Sequence, residues 1–266
     1  MNHSKCFISI GAGNVATHLV RKLCNSGYRL IQVYSRTADS ANSLAEPYHA
    51  GCTISLSEII PDADFYLVSL PDQVIPHILA QVKIKNKLIF HTAGSLGLEV
   101  FGKEFRNFGI MYPLQTFNKK VEMNIALVPI FIEANDKHAL EEIENIARVI
   151  TEKVYITDSE IRKWIHLAGV FASNFTNHML VISSEILREK KLDPALIKPL
   201  IEETFRKSLT MDPSEAQTGP ALRNDTETLS KHIKMLENRT LLQKIYTFTS
   251  ESILYSKSSK QNISGK

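Results

Sequence analysis

Cysteine is scarce in this sequence and widely spaced. Cys6, Cys24 and Cys52 are the three present, an odd number with no C-x-x-C pair. That argues against a disulfide framework or a structural zinc site, and no metal is expected. The thiols are expected to be small buried apolar groups. Long hydrophobic runs are missing as well: no stretch approaches the ~20 apolar residues that cross a bilayer. The first apolar run, "CFISI", meets glycines at once and so lacks the core of a signal peptide, and a cytoplasmic protein is expected. An excess of one charge is also lacking. Lys and Arg number 31 and Asp and Glu 28, a net +3, too mild to argue for nucleic acid or an anionic membrane as partner. Apolar content is ample: 44% of 266 residues suits one large domain or two modest ones.

The first part of the chain alternates short apolar runs with helical spacing. "KCFISIGAG" reads as a strand running into glycines. In "NVATHLVRKLCNSG", Val15, Leu19, Val20 and Leu23 have helical spacing and Gly27 stands where a stop is expected. Further strands are predicted in "RLIQVYS", "DFYLVSLP", "KLIFHTAG", "NFGIMYP" and "PIFIEA". This rhythm predicts an α/β fold with a mostly parallel sheet and helices on both faces. From Asp158 onward no strand is evident. Residues 158–192, 193–211 and 225–255 read as helical, and the polar end as a disordered or frayed tail. The expected organisation is a nucleotide-binding domain over 1–154, an all-helical domain over 155–256 and a tail over 257–266.

Gly11, Gly13 and Ala16 form G-x-G-x-x-A between the first strand and helix. The first glycine permits the tight turn, the second lets backbone approach a pyrophosphate, and the small third residue lets the helix pack on the strand. The pyrophosphate of a dinucleotide would lie at the helix N-terminus, on Gly11, Ala12, Gly13, Asn14 and Val15. The end of the second strand, which carries a carboxylate in NAD-binding chains, offers Ser35, Arg36 and Thr37. Two hydroxyls around a guanidinium suit a 2′-phosphate, so NADP is the expected cofactor. Leu70 and Pro71, and Thr92 and Ala93, end later strands on the same edge and complete the expected cofactor site. His91 reads either as a turn residue or as a group beside the nicotinamide.

In "RKWIHLAGVFASNFTNHM" the polar residues are the exceptions. On a regular α-helix Asn174 lies about 20° from Lys163 around the axis, with His166 and Asn177 within about 60°. These residues share a face with Val170 and could line an elongated cleft, although His166 and Asn174 stand ~12 Å apart along the axis. In "QTGPALRNDTETL", Asp225 reads as an N-cap, Arg223 as an anion clamp, and His232 as surface.

Seven strings, "GAGNVA", "SRT", "VSLPDQVI", "HTAGS", "YPLQTF", "HLAGVFASNF" and "TGPALRND", spread over nearly the whole chain. Together they resemble the Rossmann-like oxidoreductases that join an NADP-binding domain to a 6-phosphogluconate-dehydrogenase-like helical domain. Pyrroline-5-carboxylate reductases, ketopantoate reductases and β-hydroxyacid dehydrogenases belong there, and the nearest likeness is to a bacterial branch grouped only as oxidoreductases. Two departures stand out. The Lys with an Asn four residues later, found in β-hydroxyacid dehydrogenases, is absent, since Leu167 follows Lys163 at that spacing. Tyr112 occupies the place before "PLQTF" where the branch often has His. The resemblance implies an NADP-dependent enzyme that transfers a hydride to a small carbonyl or imine substrate between the two domains, and a homodimer formed through the helical domain. His166 is the expected proton donor, Asn174 the orienting group and Arg223 the holder of a substrate carboxylate. A non-catalytic NADP-binding sensor or scaffold is the alternative.

Overall fold

The computed structural model describes residues 4–84 and 86–264, with backbone alone for 258–264. Eight strands form one sheet: β1 (Cys6–Ile10), β2 (Arg29–Tyr34), β3 (Gly51–Thr53), β4 (Phe65–Val68), β5 (Leu88–His91), β6 (Asn107–Pro113), β7 (Ile130–Ala134) and β8 (Val154–Ile156). Their order across the sheet is β3-β2-β1-β4-β5-β6-β7-β8. Only β6 and β7 run antiparallel; the other neighbours are parallel.

The central strands are apolar on both faces because both are covered. One face carries Phe7, Phe65 and Phe90 in a row, with ring centroids 5.1 and 5.7 Å apart. Helices α1 (Asn14–Asn25), α2 (Ala38–Ala45) and, further along, α4 (Lys137–Ile150) supply Leu19, Leu23, Leu44, Ile143 and Ile146 to the same core. On the other face Ile8, Ile10, Tyr66 and Val68 meet Ile75, Ile78 and Leu79 of the short α3 (Ile75–Leu79). Each such side chain contributes about 1.5–3 kcal/mol by leaving water. The parallel strands direct Ile10, Tyr34, Val68, His91 and Tyr112 to one edge. The connections change direction between β1 and β4, which is where an open α/β sheet leaves a crevice for a ligand.

Six of the strands are those expected from the apolar runs. β3 and β8 escape such a reading because each has three residues and lies at an edge of the sheet, too short for a pattern. Helix α5 (Ser159–Gly169), a π-helical turn (Val170–Phe175) and α6 (Thr176–Glu189) follow without a break. Asp158 caps the start by accepting from the Ile161 amide at 2.8 Å.

Two compact units divide the chain, Met1–Leu180 and Val181–Lys266. The first therefore holds the sheet and α5, and the division falls inside α6. In the second are α7 (Lys198–Thr210), α8 (Pro213–Ala216), α9 (Pro220–Arg223), α10 (Thr226–Met235) and α11 (Thr240–Ser264). Four expectations are corrected here. Residues 225–255 form two helices rather than one: a turn precedes α11, and Arg239 in it pairs with Glu189 at 2.9 Å. His232 is no plain surface residue, since its Nδ1 hydrogen-bonds the Tyr246 hydroxyl at 2.8 Å. The polar end stays helical to Ser264 because no Gly or Pro interrupts it before Gly265; Gly265 and Lys266 lie outside the described residues. Cys52 is exposed on β3, where its thiol donates to Asn42 Oδ1 at 2.7 Å. Among the described residues no helix is long and apolar enough to cross a membrane.

Candidate active site

The turn after β1 is built for close approach. Gly11 has φ +122°, and a Cβ there would stand 2.1 Å from the Ser69 carbonyl oxygen, so no other residue fits. Its amide donates to the Tyr34 carbonyl at 2.8 Å, tying β1 to β2. Gly13 is the N-cap of α1 and makes no side-chain cap. A Cβ at Gly13 would meet nothing within 4 Å. The first turn of α1 holds no acidic residue, so the Asn14 and Val15 amides face outward without a competing anion. Ala12 and Val15 pack against the core, and Ala16 is fully buried, as close helix–strand packing requires. Asn14 Oδ1 accepts from the Lys119 amide at 3.2 Å. An open glycine cradle on a free helix N-terminus fits a dinucleotide pyrophosphate.

Ser35, Arg36 and Thr37 follow β2 on the same edge. The Ser35 amide donates to the Thr53 carbonyl at 3.2 Å, and Thr37 is the N-cap residue of α2. Arg36 is exposed, and among the described residues its guanidinium joins no hydrogen bond or ion pair. Leu70 lies 3.1 Å from where a Gly11 Cβ would be, and Pro71 follows it. Thr92 donates to the Ser69 hydroxyl at 3.2 Å, with Ala93 buried beside it. The expected cofactor positions thus gather along the ends of β1, β2, β4 and β5.

Further along that edge Tyr112, at the end of β6, meets His166 of α5. The Tyr112 hydroxyl and His166 Nδ1 are 3.0 Å apart, and the rings cross edge-on with centroids 5.8 Å apart. Gly94 makes room for this contact: a Cβ there would fall 2.7 Å from both His166 Nδ1 and Tyr112 Cζ. Burial first, then the nearby charge of Asp72, push the Tyr112 phenol up to about 12, against an opposing pull from Arg162. The phenol is therefore protonated throughout the neutral range. Ser95, the residue after Gly94, donates its hydroxyl to the Asp72 carboxylate.

His91 stands apart from this pair. It is fully buried, stacks on Phe101 at 5.5 Å and accepts from the Ala93 amide at Nδ1. Burial, then the Arg162 charge, lower its pKa to about 3, which keeps it neutral and unable to act as an acid near pH 7. Its role is to shape the turn that carries Thr92, Ala93 and Gly94.

Arg162, one helical turn before His166, is wholly buried. Its guanidinium donates to Glu133 of β7, to the Leu96 carbonyl and to Ser159 Oγ, and Ser159 Oγ donates to the same Glu133 oxygen at 2.7 Å. This strut fixes α5 against the loop after β5 and against β7.

The π-turn at Val170–Phe175 draws His166 and Asn174 into closer line. A regular helix would leave His166 and Asn174 about 80° apart. One extra residue in the turn removes about one step of 100° and brings them to within about 20°. Lys163, on α5 with His166, pairs with Glu160 at 2.8 Å. Asn174 is exposed. Arg223 ends α9 in the second unit, exposed, and Asp225 caps α10 by accepting from the Thr228 amide at 3.1 Å.

Tyr112, Asp72 and Arg162 are absent from the sequence-derived site. Tyr112 left a signal, standing in "YPLQTF" where resembling chains often have His. Arg162 left none, because a charged residue in a helix's first turns reads as solvated.

Residues 6–93 match a family described as NADP oxidoreductase coenzyme F420-dependent, and residues 128–253 match a domain of unknown function, DUF2520. The fold is similar to the crystal structure of BF3122 from Bacteroides fragilis, described as an NADP oxidoreductase, with 39% identity, 95% of this chain and 98% of that chain covered, and a TM-score of 0.88. It is also similar to TM1727 from Thermotoga maritima, at 23% identity, coverage of 96% and 99%, and a TM-score of 0.71. An imine reductase from Myxococcus stipitatus, solved in complex with NADP+, shares the fold at 15% identity, coverage of 96% and 94%, and a TM-score of 0.65. No curated protein matches the sequence.

Proposed function

The chain belongs to the NADP oxidoreductase family of the Bacteroides fragilis protein, and from that premise we propose that it reduces a small carbonyl or imine compound with NADPH. The observation that carries the reading is the Tyr112–His166 hydrogen bond at the same sheet edge as the glycine turn. Gly11, Ala12, Gly13, Asn14 and Val15 would hold the pyrophosphate; Ser35, Arg36 and Thr37 the 2′-phosphate; and Leu70, Pro71, Thr92 and Ala93 the nicotinamide half. NADPH, when bound, supplies the hydride. The residues of this chain then hold the substrate and supply the proton. With Nδ1 protonated, His166 donates to Tyr112 Oη and leaves the phenol hydrogen to point at the substrate heteroatom. As negative charge develops there, the phenol proton moves to it and His166 restores the phenol. Asn174, on the His166 line, orients the substrate. Arg223 would bind a substrate carboxylate.

A second copy of the chain is the proposed partner, through the helical half, where Trp164 is 69% and Phe171 61% exposed; large apolar surfaces of this kind mark interaction sites. Three free thiols favour the reducing cytoplasm as the place of action.

The cofactor assignment is tested by thermal shift. At ~100 times its Kd a ligand raises stability by about 2.7 kcal/mol. NADPH is expected to raise Tm well above the shift produced by NADH. Arg36→Ala should weaken NADPH about ten- to a hundred-fold, the worth of a charge-assisted contact, and leave NADH unchanged. Equal loss of both would remove Arg36 from the phosphate site. Binding of NADPH without oxidation by any carbonyl or imine would favour a sensor or scaffold.

A further inference from the structure

The charges around the Tyr112–His166 pair do not balance. Arg162 is neutralised by Glu133. Lys163 is taken by Glu160. Glu99 accepts from the neutral Gly97 amide but is exposed to solvent, which screens its charge. Asp72 differs: it is half-buried, and among the described residues its recorded partner is the neutral Ser95 hydroxyl. The chain itself fixes its distance from the reacting pair. Gly94 abuts both His166 Nδ1 and Tyr112 Cζ, Ser95 is the next residue, and Ser95 holds the Asp72 carboxylate. The charge of Asp72 is felt at the Tyr112 hydroxyl. A carboxylate held by one hydroxyl keeps lone pairs free for a further donor, and half-buried it favours a cation over a neutral isostere.

From this arrangement we infer that Asp72 binds the cationic form of the substrate, so that the compound reduced is a protonated imine and the product an amine. The inference rests on the hydride-transfer reading and names its substrate class. The balance is simple. Hydride from NADPH forms the new C–H bond at the imine carbon. The C=N π pair becomes the nitrogen lone pair, and NADPH becomes NADP+. The proton on nitrogen comes from Tyr112: the free imine takes it as it settles against Asp72, and His166 restores the phenol. Asp72 holds the N–H group on both sides of the reaction.

Calorimetry on the full-length protein loaded with NADP+ separates this from the hydride reading, because it needs no turnover. Pyrrolidine, a cation at neutral pH, and cyclopentanol, its neutral isostere, are the probes. Pyrrolidine is expected to bind the wild type about ten- to a hundred-fold tighter, the range spanned by a charge-assisted hydrogen bond. In Asp72→Asn, which keeps the shape and the Ser95 contact, that preference should vanish with Tm unchanged. Asp72→Ala should behave likewise. Equal binding of the two probes by the wild type would overturn the inference. So would a preference that survives Asp72→Asn, or a variant that loses affinity for NADP+ but not for NADPH, which would put the carboxylate against the nicotinamide. Rapid ketone reduction with no preference for the amine leaves hydride transfer standing and removes the cation site. Amine preference without oxidation of NADPH by any imine does the reverse.

Discussion

Tyr112→Phe is expected to lower kcat by about 10²–10⁴-fold, the usual worth of a positioned proton donor, while KM changes little. The change removes one oxygen. The ring stays packed beside Phe131 at 6.4 Å and edge-on to His166, and the hydrogen bond lost to His166 is worth only about 1 kcal/mol of stability. A Tm near that of the wild type with a collapsed kcat is therefore the expected pair of results. His166→Ala should cost a similar factor, and the double variant little more than either single one, because the two groups form one relay. The pH profile carries a further check. The donor is the protonated phenol, present below its pKa and lost above it, and that pKa stands at about 12. The profile should show no alkaline fall from Tyr112 below about pH 11. Retention of kcat within a few-fold in Tyr112→Phe would take the proton step away from this pair.

Arg162→Ala is expected to destabilise the protein by about 3–5 kcal/mol, since it leaves the Glu133 carboxylate inside without its cation. For a chain of this size that is a fall in Tm of about 10 °C, read by thermal unfolding of the full-length protein. Arg162→Met with Glu133→Leu should cost less than Arg162→Ala alone, because apolar replacement of a whole buried pair is often close to neutral. Activity should nevertheless stay low in the double variant. The strut aims α5, and a displacement of about 1 Å at His166 is enough to lose about 10²-fold. A double variant with full activity would show that α5 is positioned by its packing alone.

These two residues also show where sequence reading succeeds and stops. The glycine turn, the Ser-Arg-Thr after the second strand and the six longer strands were legible, because each depends on local rules: φ at Gly11, alternation of element types, apolar runs. His166 was legible as a polar residue in an apolar helix. Its partner was not, because Tyr112 is 54 residues away and only the β6–α5 packing joins them. Arg162 read as solvent-facing, whereas three separate elements converge to bury it. How closely His166 and Asn174 align was not legible for a different reason. A regular helix has 3.6 residues per turn, and the π-turn at Val170–Phe175 breaks that period without any Pro or Gly inside it to announce the change. Asp72 was visible only as part of a turn motif, and its charge acquires meaning once Ser95 and Tyr112 are seen beside it.

The central claim is hydride transfer from NADPH to a substrate held by Tyr112 and His166. It is tested most directly by following deuterium from NADPH labelled at C4, with the two labelled faces tried separately, against a panel of cyclic imines and ketones. The account predicts that the label from one face appears in the product, on the carbon that had carried the double bond, and that the transfer slows by about 10²-fold or more in Tyr112→Phe. NADPH that binds and keeps its label with every member of the panel, or label transfer at an unchanged rate in Tyr112→Phe, would contradict it.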